Sequence, residues 1–264
     1  MRNYFIFLPD SGGMVDSREL SIHIEHMPDI QRAPERVEKI VIPGRSGTLT
    51  KTEGADVYDS YIKAFDIVAT DESKIQSIQR LLRGNGKIIF SNEPQFRYTV
   101  SITDGLSFNR FFRTWRRATL SMETQPFKES AEEKIHKGTY TDHVGGEELS
   151  FGKGFEITLF CETDVPCPFF AELDVKYNSA NGSYWMYTNL LSGNGIMFWS
   201  DVWAIHKIYV DNENGTAYTD TGRNLLRFTR GYNFPQYLNR GENKIYFRTS
   251  QASQVTVKYR GRFL

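Results

Sequence analysis

One helical segment stands out in a chain whose other regular segments all have the composition of β-strands. Residues 71–84 repeat apolar side chains with the 3.6-residue period of an amphipathic helix. Thr70 or Asp71 can cap its N-terminus, and Gly84 can end it. Its apolar face consists of Ile75, Ile78, Leu81 and Leu82. We therefore expect a mainly β domain with one helix packed against its sheet, and Ile78 and Leu81 buried.

The first half of the chain alternates strand-like segments with turns. The segments are Tyr4–Leu8, Glu19–Glu25, Glu35–Ile42, Tyr58–Ala69, Lys87–Phe90, Phe96–Thr103 and Trp115–Met122. Pro94, Asp104-Gly105 and Pro126 separate some of them, and a polar loop spans Arg45–Asp56. The pattern predicts a β-sandwich domain with one α-helix over residues 1–130.

The second half changes character. Residues 128–150 lose almost all aromatic side chains and contain Gly145-Gly146, so 131–150 is predicted to be a linker, although Thr139–His143 could add an edge strand. Turn signals recur between apolar runs at Asn181-Gly182, Asn194-Gly195 and Asn214-Gly215. Residues 151–264 are therefore predicted to form an antiparallel β-sandwich of jelly-roll type.

Composition limits the classes of partner. The 264 residues contain 32 basic and 32 acidic side chains, so no overall field attracts nucleic acid or an anionic membrane. No apolar run approaches the roughly 18 residues of a membrane span, and the first residues do not resemble a signal peptide. We expect synthesis and folding in a cytosol. There, Cys161 and Cys167 are expected to be free structural thiols, although their spacing permits a disulfide.

No pattern of a catalytic or metal site is present. The chain lacks the Gly-x-Ser-x-Gly, Gly-x-Gly-x-x-Gly and phosphate-loop patterns, and no zinc spacing occurs. His23 and His26 would point to opposite faces of a strand. Asp211–Gly215 lacks the glycine and glutamate positions of a calcium loop and is predicted to be a β-turn. We expect a protein without enzymatic activity, metal or cofactor.

Two aromatic regions admit a binding function. Residues 108–117 interleave arginines with aromatic residues, which fits stacking on nucleic acid or, more simply, arginines that are solvated or pair with carboxylates of a neighbouring chain. The second half contains Trp185, Trp199 and Trp203, which could stack on sugars. The same residue types also fill sandwich cores, and we expect these to be core residues.

The order of several short motifs resembles the distal tail protein (Dit) family of long-tailed, siphovirus-type bacteriophages and prophages. The motifs are Ile-Pro-Gly-Arg-Ser-Gly at 42–47, the strand at 61–69, the helix at 72–83, Gly-Lys-Ile-Ile-Phe at 86–90, and Trp-Arg-Arg-Ala-Thr-Leu-Ser-Met at 115–122, followed by Gln-Pro-Phe at 125–127. Near the C-terminus, 238–245 and 255–260 are similar to the closing strands of that family's second domain. The resemblance covers almost the whole chain.

The resemblance implies a structural protein of the virion tail tip, or baseplate, assembled in the host bacterial cytoplasm. It implies a hexameric ring formed by the first domain and an outward, galectin-like second domain. The implied partners are further copies of the chain, the tail tube protein and the tail-associated (Tal) protein; no membrane or sequence-specific nucleic acid is implied, although DNA can pass through the ring lumen.

The predicted interface residues are Arg45, Lys51, Glu53, Asp56, Arg113 and Arg116. The chain is too short for the receptor-binding insertion of some relatives. Two alternatives stay open. One is a carbohydrate-binding or adhesion protein acting through the C-terminal sandwich, and the other is a small hydrolase built on a sandwich.

Overall fold

The computed structural model describes residues 3–44, 46–52, 57–141, 153–175, 182–188, 195–200, 206–225, 234–248 and 252–264. The chain divides into a first unit, residues 1–132 with 263–264, and a second unit, residues 133–262. Both units are built mainly from antiparallel strands, and the described residues contain one short α-helix. The predicted mainly β fold class is confirmed.

The first unit contains β1 (Phe5–Pro9), β2 (Val15–Asp16), β3 (Ile22–Ile24), β4 (Val37–Val41), β5 (Thr48–Thr52), β6 (Tyr61–Ala69), a 3-10 turn (Glu72–Lys74), α1 (Ile75–Leu81), β7 (Gly84–Phe90), β8 (Phe96–Ile102), β9 (Asn109–Phe112) and β10 (Trp115–Ser130). The second unit contains β11 (Lys134–Lys137), β12 (Thr139–Thr141), β13 (Gly154–Cys161), β14 (Cys167–Val175), β15 (Gly182–Thr188), β16 (Gly195–Ser200), β17 (Lys207–Asp211), β18 (Thr216–Thr219), β19 (Tyr237–Leu238), β20 (Gly241–Arg248) and β21 (Ala252–Tyr259). The last strand, β22 (Arg262–Phe263), pairs with β10.

The first unit is organised around one antiparallel sheet that curls onto itself. Its strand order is β2-β1-β7-β8-β10-β6-β3, and β9 and β22 also pair with β10. Strands β1 and β6 are four positions apart, which in a flat sheet would separate them by roughly 19 Å. Their rings Phe5 and Phe65 nevertheless meet at 5.9 Å, and Phe65 lies 5.6 Å from Phe90 on β7. The two halves of one sheet therefore face each other across an aromatic core.

The helix closes this core through Ile78, as predicted, but not through Leu81. Asp71 caps the 3-10 turn that leads into the helix by accepting a hydrogen bond from the Ser73 amide. Ile78 is fully buried and Leu82 is 2% exposed, whereas Leu81 is 36% exposed. The prediction that Leu81 is buried is wrong. The α-helix ends at Leu81, and the extended turn at Leu82 directs that side chain, not Leu81, towards the core.

Three strand predictions for the first unit also need correction. The loop predicted over Arg45–Asp56 contains strand β5, so it forms a hairpin with β4. Strand β10 was predicted to end at Met122 but extends to Ser130, because a register shift between Thr124 and Lys128 carries the strand past Pro126. Strand β3 is shorter than predicted, and His26 lies outside it.

The second unit is a two-sheet sandwich. One sheet has the order β11-β21-β14-β17-β18, with β19 beside β14, and the other has the order β12-β13-β20-β15-β16. Inward residues alternate along β13 and β14, as expected for strands with one face in a core. Strands β11 and β12 lie inside the predicted linker 131–150, and they pair with β21 and β13.

Hairpin predictions in the second unit have mixed outcomes. The Asp211–Gly215 turn is confirmed: it connects β17 to β18, and the Asp211 carboxylate accepts hydrogen bonds from the amides of Glu213 and Asn214. Residues Asn181 and Asn194 lie outside the described residues, while Gly182 and Gly195 begin β15 and β16.

Candidate functional site

The most exposed regular structure in the first unit is the hairpin formed by β4 and β5, called here the arm. The strands pair with each other from Val37–Thr52 to Val41–Thr48 and with no other strand among the described residues. Every residue of the two strands except Ile40 is exposed. Val41 is 72% and Leu49 46% exposed. An isolated two-stranded hairpin is marginally stable in water, so the arm presents apolar strands that a further surface would stabilise.

The base of the arm is firmly attached. The Arg36 amide donates to the carbonyl of Val57, and the Asp59 amide donates to the carbonyl of Pro34, both at 2.9 Å. The Arg36 guanidinium pairs with the Asp59 carboxylate at 2.6 Å. Beneath them, the 9% exposed ring of Tyr58 makes edge contact with Phe127. A fixed base under an exposed hairpin sets the direction in which the arm projects.

Four of the predicted interface residues belong to the arm or its loops. Lys51 lies on β5, exposed and opposite Glu38 in the strand register. Arg45, Glu53 and Asp56 lie outside the described residues. Interface roles for these residues therefore stay predictions.

A second exposed surface is formed by residues 109–117, called here the arginine hairpin. All four residues of β9 are exposed, and β9 pairs with the start of β10. Phe111, Phe112 and Trp115 are 49%, 60% and 42% exposed. The rings of Phe112 and Trp115 meet edge to face at 6.2 Å, and the Arg113 guanidinium lies over Phe112. Exposed aromatic and arginine side chains together are typical of the central residues of protein interfaces.

The arginines of this hairpin divide into two groups. Arg116 pairs with Glu72 at 2.6 Å and its side chain is only 16% exposed, and Arg117 pairs with Glu25 and Asp66. These two tie the hairpin to its own unit. Within the part of the chain that the structure describes, Arg110 and Arg113 have no carboxylate partner. Of the predicted interface residues in this hairpin, Arg113 is thus available to a partner, whereas Arg116 is already engaged.

A buried charged cluster lies beneath the sheet of the first unit. The Lys63 ammonium is 2.5 Å from the Asp29 carbonyl that accepts its hydrogen bond, and burial lowers the pKa of this lysine. Glu93 accepts hydrogen bonds from the Tyr98 hydroxyl and from Lys128. Burial is the main cause that raises the pKa of Tyr98, and its hydrogen bond to Glu93 raises this pKa further. Each ionisable group named here makes a hydrogen bond to a neighbour, which offsets the cost of burying it.

The first unit also has a shallow pocket of about 320 Å³, open to solvent. Its polar lining comes from His26, Asp29, Asp66 and Thr119. The Asp66 carboxylate already accepts hydrogen bonds from Thr119 and Arg117, and these lower its pKa. The Thr119 hydroxyl does contact a carboxylate, but the lowered pKa of Asp66 makes that carboxylate a weak base. Among the described residues no group of three or more histidine, cysteine, aspartate or glutamate side chains could hold a metal ion.

The tryptophans that could stack on sugars, which were expected to be core residues, fall mostly outside what the structure describes. Trp185 and Trp199 lie on β15 and β16, where Trp185 pairs with Met197 and Trp199 with Ser183, but their side chains lie outside the described residues. Trp203 lies wholly outside them. In the described residues no helix is long and apolar enough to cross a membrane.

Known structures share this fold. The chain is similar to the Dit protein of phage SPP1, described as a paradigm of the hub adsorption apparatus in phages that infect Gram-positive bacteria. The two chains are 15% identical with a TM-score of 0.66, over 98% of this chain and 99% of that one. A chain of the phage P2 baseplate, in its activated conformation with calcium, has a TM-score of 0.54 at 10% identity, over 99% and 98%. The fold expected from the Dit resemblance is confirmed.

No protein-family model matches the chain, and none of the curated proteins compared with it matches its sequence.

Proposed function

We propose that this protein is a structural component of a phage tail tip, where its first unit forms a hexameric ring that joins the tail tube to the host-adsorption apparatus. The observation that carries the proposal is the fold likeness to a phage hub protein over 98% of this chain and 99% of the other. Both units take part in the likeness, and a second likeness to a phage baseplate chain supports the same class.

The arm supports ring formation. A ring needs two different patches on one subunit, because each copy meets its neighbour head to tail. Val41 and Leu49 are apolar and exposed, and the register Ile40–Leu49 and Val41–Thr48 puts them on opposite faces of the hairpin above its fixed base. Placing them on the next copy would remove apolar surface from water and would complete a hairpin that is marginal alone. The arm is therefore one patch, and the surface that receives it on the neighbouring copy is the other.

The arginine hairpin supports contacts with other tail proteins. Phe111, Phe112 and Trp115 offer exposed rings, and Arg110 and Arg113 offer guanidinium groups without a carboxylate partner in the described residues. Such a surface suits a partner with an apolar cleft and acidic rim. The tail tube protein and the tail-associated protein are the partners that the proposal assigns, with the second unit as an adaptor.

The alternatives receive less support. A sugar-binding function depends on Trp185, Trp199 and Trp203, whose side chains lie outside the described residues, so no observation favours it. A hydrolase would need a nucleophile activated by a base, and in the described pocket the Thr119 hydroxyl contacts only the Asp66 carboxylate, whose lowered pKa makes it a weak base. The proposed role is structural, with no enzymatic step.

The oligomeric state of the full-length protein tests the proposal. Light scattering coupled to size exclusion, followed by negative-stain microscopy, should show six-fold rings with a central opening. Because assembly can depend on a partner, the same measurement should include particles containing the tail tube protein. A protein that stays monomeric at high concentration and is absent from the tail tip of its virion contradicts the proposal.

A further inference from the structure

The chain's two cysteines meet in the core of the second unit. Cys161 is the last residue of β13 and Cys167 the first of β14, and these strands belong to the two different sheets of the sandwich. Both side chains are fully buried, and their Sγ atoms are 3.4 Å apart in a thiol–thiol hydrogen bond. Both are free thiols. A covalent bond between them would join the two sheets directly.

The loop between the cysteines is already closed by hydrogen bonds. The Thr163 hydroxyl donates to the carbonyl of Val165 at 2.5 Å and accepts from the Arg262 amide at 3.0 Å. The Asp164 amide donates to the Arg262 carbonyl at 2.8 Å. These contacts hold the ends of β13 and β14 together in the dithiol state. Closing the bond requires the two sulfurs to approach from 3.4 Å to the roughly 2.05 Å of a disulfide.

We propose that Cys161 and Cys167 are an oxidisable pair that a small hydroperoxide converts into a disulfide linking the two sheets of the second unit. This assignment stands on the sulfur contact and on the position of the pair between the sheets. It is independent of the tail-tip function proposed above, because it concerns the second unit alone and needs no assembly partner.

The oxidation balances with one equivalent of hydrogen peroxide. The thiolate of one cysteine attacks a peroxide oxygen, the O–O bond breaks, and a sulfenic acid and hydroxide form. The sulfur of the second cysteine then attacks the sulfenic sulfur, the S–O bond breaks, and the second hydroxide leaves as the disulfide forms. The two thiol protons end on the two departing oxygens as water. Two thiols lose two electrons, and peroxide is reduced to two water molecules.

The two thiols differ in acidity. The contact with Cys167 lowers the pKa of the Cys161 thiol below its ordinary value. The same contact, with burial, raises the pKa of Cys167. Cys161 is therefore the sulfur that reaches the thiolate form first and attacks the peroxide, and Cys167 resolves the sulfenic acid.

Full burial selects the oxidant by size. Both sulfurs are closed even to a water-sized molecule, so each oxidant needs a local opening of the sandwich, and hydrogen peroxide needs a smaller opening than oxidised glutathione. A small peroxide therefore oxidises the folded protein faster than oxidised glutathione at equal concentration. The resulting bond closes a short loop, for which we expect the melting temperature to rise by on the order of 5 °C.

Mass spectrometry of the full-length protein tests the proposal. The folded protein is treated with hydrogen peroxide, unfolded in urea with N-ethylmaleimide, and digested with trypsin. Peptide 154–176 contains both cysteines. We expect it to lose two hydrogen atoms and take up no maleimide, and dithiothreitol to restore two maleimide additions. The Cys161→Ser and Cys167→Ser variants should show neither the two-hydrogen loss nor the peroxide-dependent rise in melting temperature.

The order of attack has its own readout. A sulfenic-acid probe should label Cys167→Ser, which keeps Cys161, faster than it labels Cys161→Ser. The proposal is overturned if both wild-type thiols remain open to maleimide after peroxide treatment, if they advance to sulfinic acids without a disulfide, or if the disulfide joins two molecules. Because the wild-type protein carries the main measurement, a variant that folds poorly does not remove the test.

Discussion

Two regions of the first unit use similar strand sequences for opposite purposes. In the curled sheet, Phe5, Phe65 and Phe90 meet across one core and are at most 6% exposed. In the arm, Val41 lies between Ile40 and Ile42 and Leu49 lies between two threonines, yet both side chains remain exposed. Apolar strand residues thus stabilise the sheet by packing within one subunit, while in the arm they leave apolar side chains available to a partner.

The difference in burial separates the residues that stabilise the fold from those that we propose act in assembly. The sheet, the helix and the buried charges fold without needing another subunit, because their apolar surface is already covered. The arm is expected to contribute little to that stability, because within the described residues its two strands pair with each other and with no further strand. Substitutions in the sheet should therefore change the free energy of unfolding, and substitutions in the arm should change assembly.

The largest effect is expected at the buried face of the helix. Ile78 is fully buried against the core, so Ile78→Ala removes packed methyl groups and leaves a cavity. The free energy of unfolding should fall by roughly 2–5 kcal/mol. Urea denaturation followed by tryptophan fluorescence measures it. An unchanged midpoint would show that the helix does not close the core.

A smaller loss is expected at the buried carboxylate of β10. Glu129 pairs with Lys87 and Arg97, each at 2.8 Å. Glu129→Gln weakens both pairings and should cost about 1–3 kcal/mol at neutral pH. Urea titration of both proteins gives the difference.

The same carboxylate predicts the sign of a pH effect. Burial opposes the charged form, but Lys87 and Arg97 outweigh it and hold the pKa of Glu129 below its ordinary value of 4.5. The stabilisation is therefore complete above that ordinary value and is lost as pH falls through the lower pKa of the folded protein. The difference in unfolding free energy between wild type and Glu129→Gln should shrink with acidification. A difference independent of pH would contradict the pairing.

Leu81 provides the matched control for Ile78. It lies on the same helix but is 36% exposed, so Leu81→Ala should cost less than about 1 kcal/mol. The same urea experiment compares the two variants directly. Equal losses at both positions would mean that the helix faces the core through Leu81 after all.

The smallest effect on stability is expected in the arm. Val41→Asp and Leu49→Asp should change the free energy of unfolding by no more than about 0.5 kcal/mol, since both side chains are exposed in the single chain. Phe160→Asp, at a 64% exposed position of the second unit, is the control outside the arm. A loss of several kcal/mol in the arm variants alone would show that the arm packs on its own subunit.

Local patterns predicted what local interactions determine. The helix, its Asp71 cap and the Asp211 turn follow from side chains a few residues apart, and each was predicted from the sequence. Leu81 was misplaced because helical periodicity orients the apolar face but does not fix the last turn. The α-helix ends at Leu81, before the predicted end at residue 83, and the buried side chain is Leu82 instead.

Long-range pairing explains what the sequence could not predict. Strand β5 consists mainly of threonine and lysine and was predicted as loop, because its strand form depends on pairing with β4. Strand β11 pairs with β21, more than 100 residues away, so its segment was predicted as linker. The candidate interface residues Arg113 and Arg116 are only three positions apart in the sequence. The position of Glu72 in the fold shows that Arg116 forms an ion pair, whereas Arg113 has no carboxylate partner in the described residues.

One measurement tests whether the arm is needed for ring assembly while the curled sheet of the first unit stabilises the fold. Light scattering should give the particle mass of wild type, Val41→Asp/Leu49→Asp and Phe160→Asp under conditions in which wild type forms rings. We predict that the double arm variant is a folded monomer with wild-type stability and that Phe160→Asp retains the ring mass. Rings of unchanged mass from the arm variant would contradict this account.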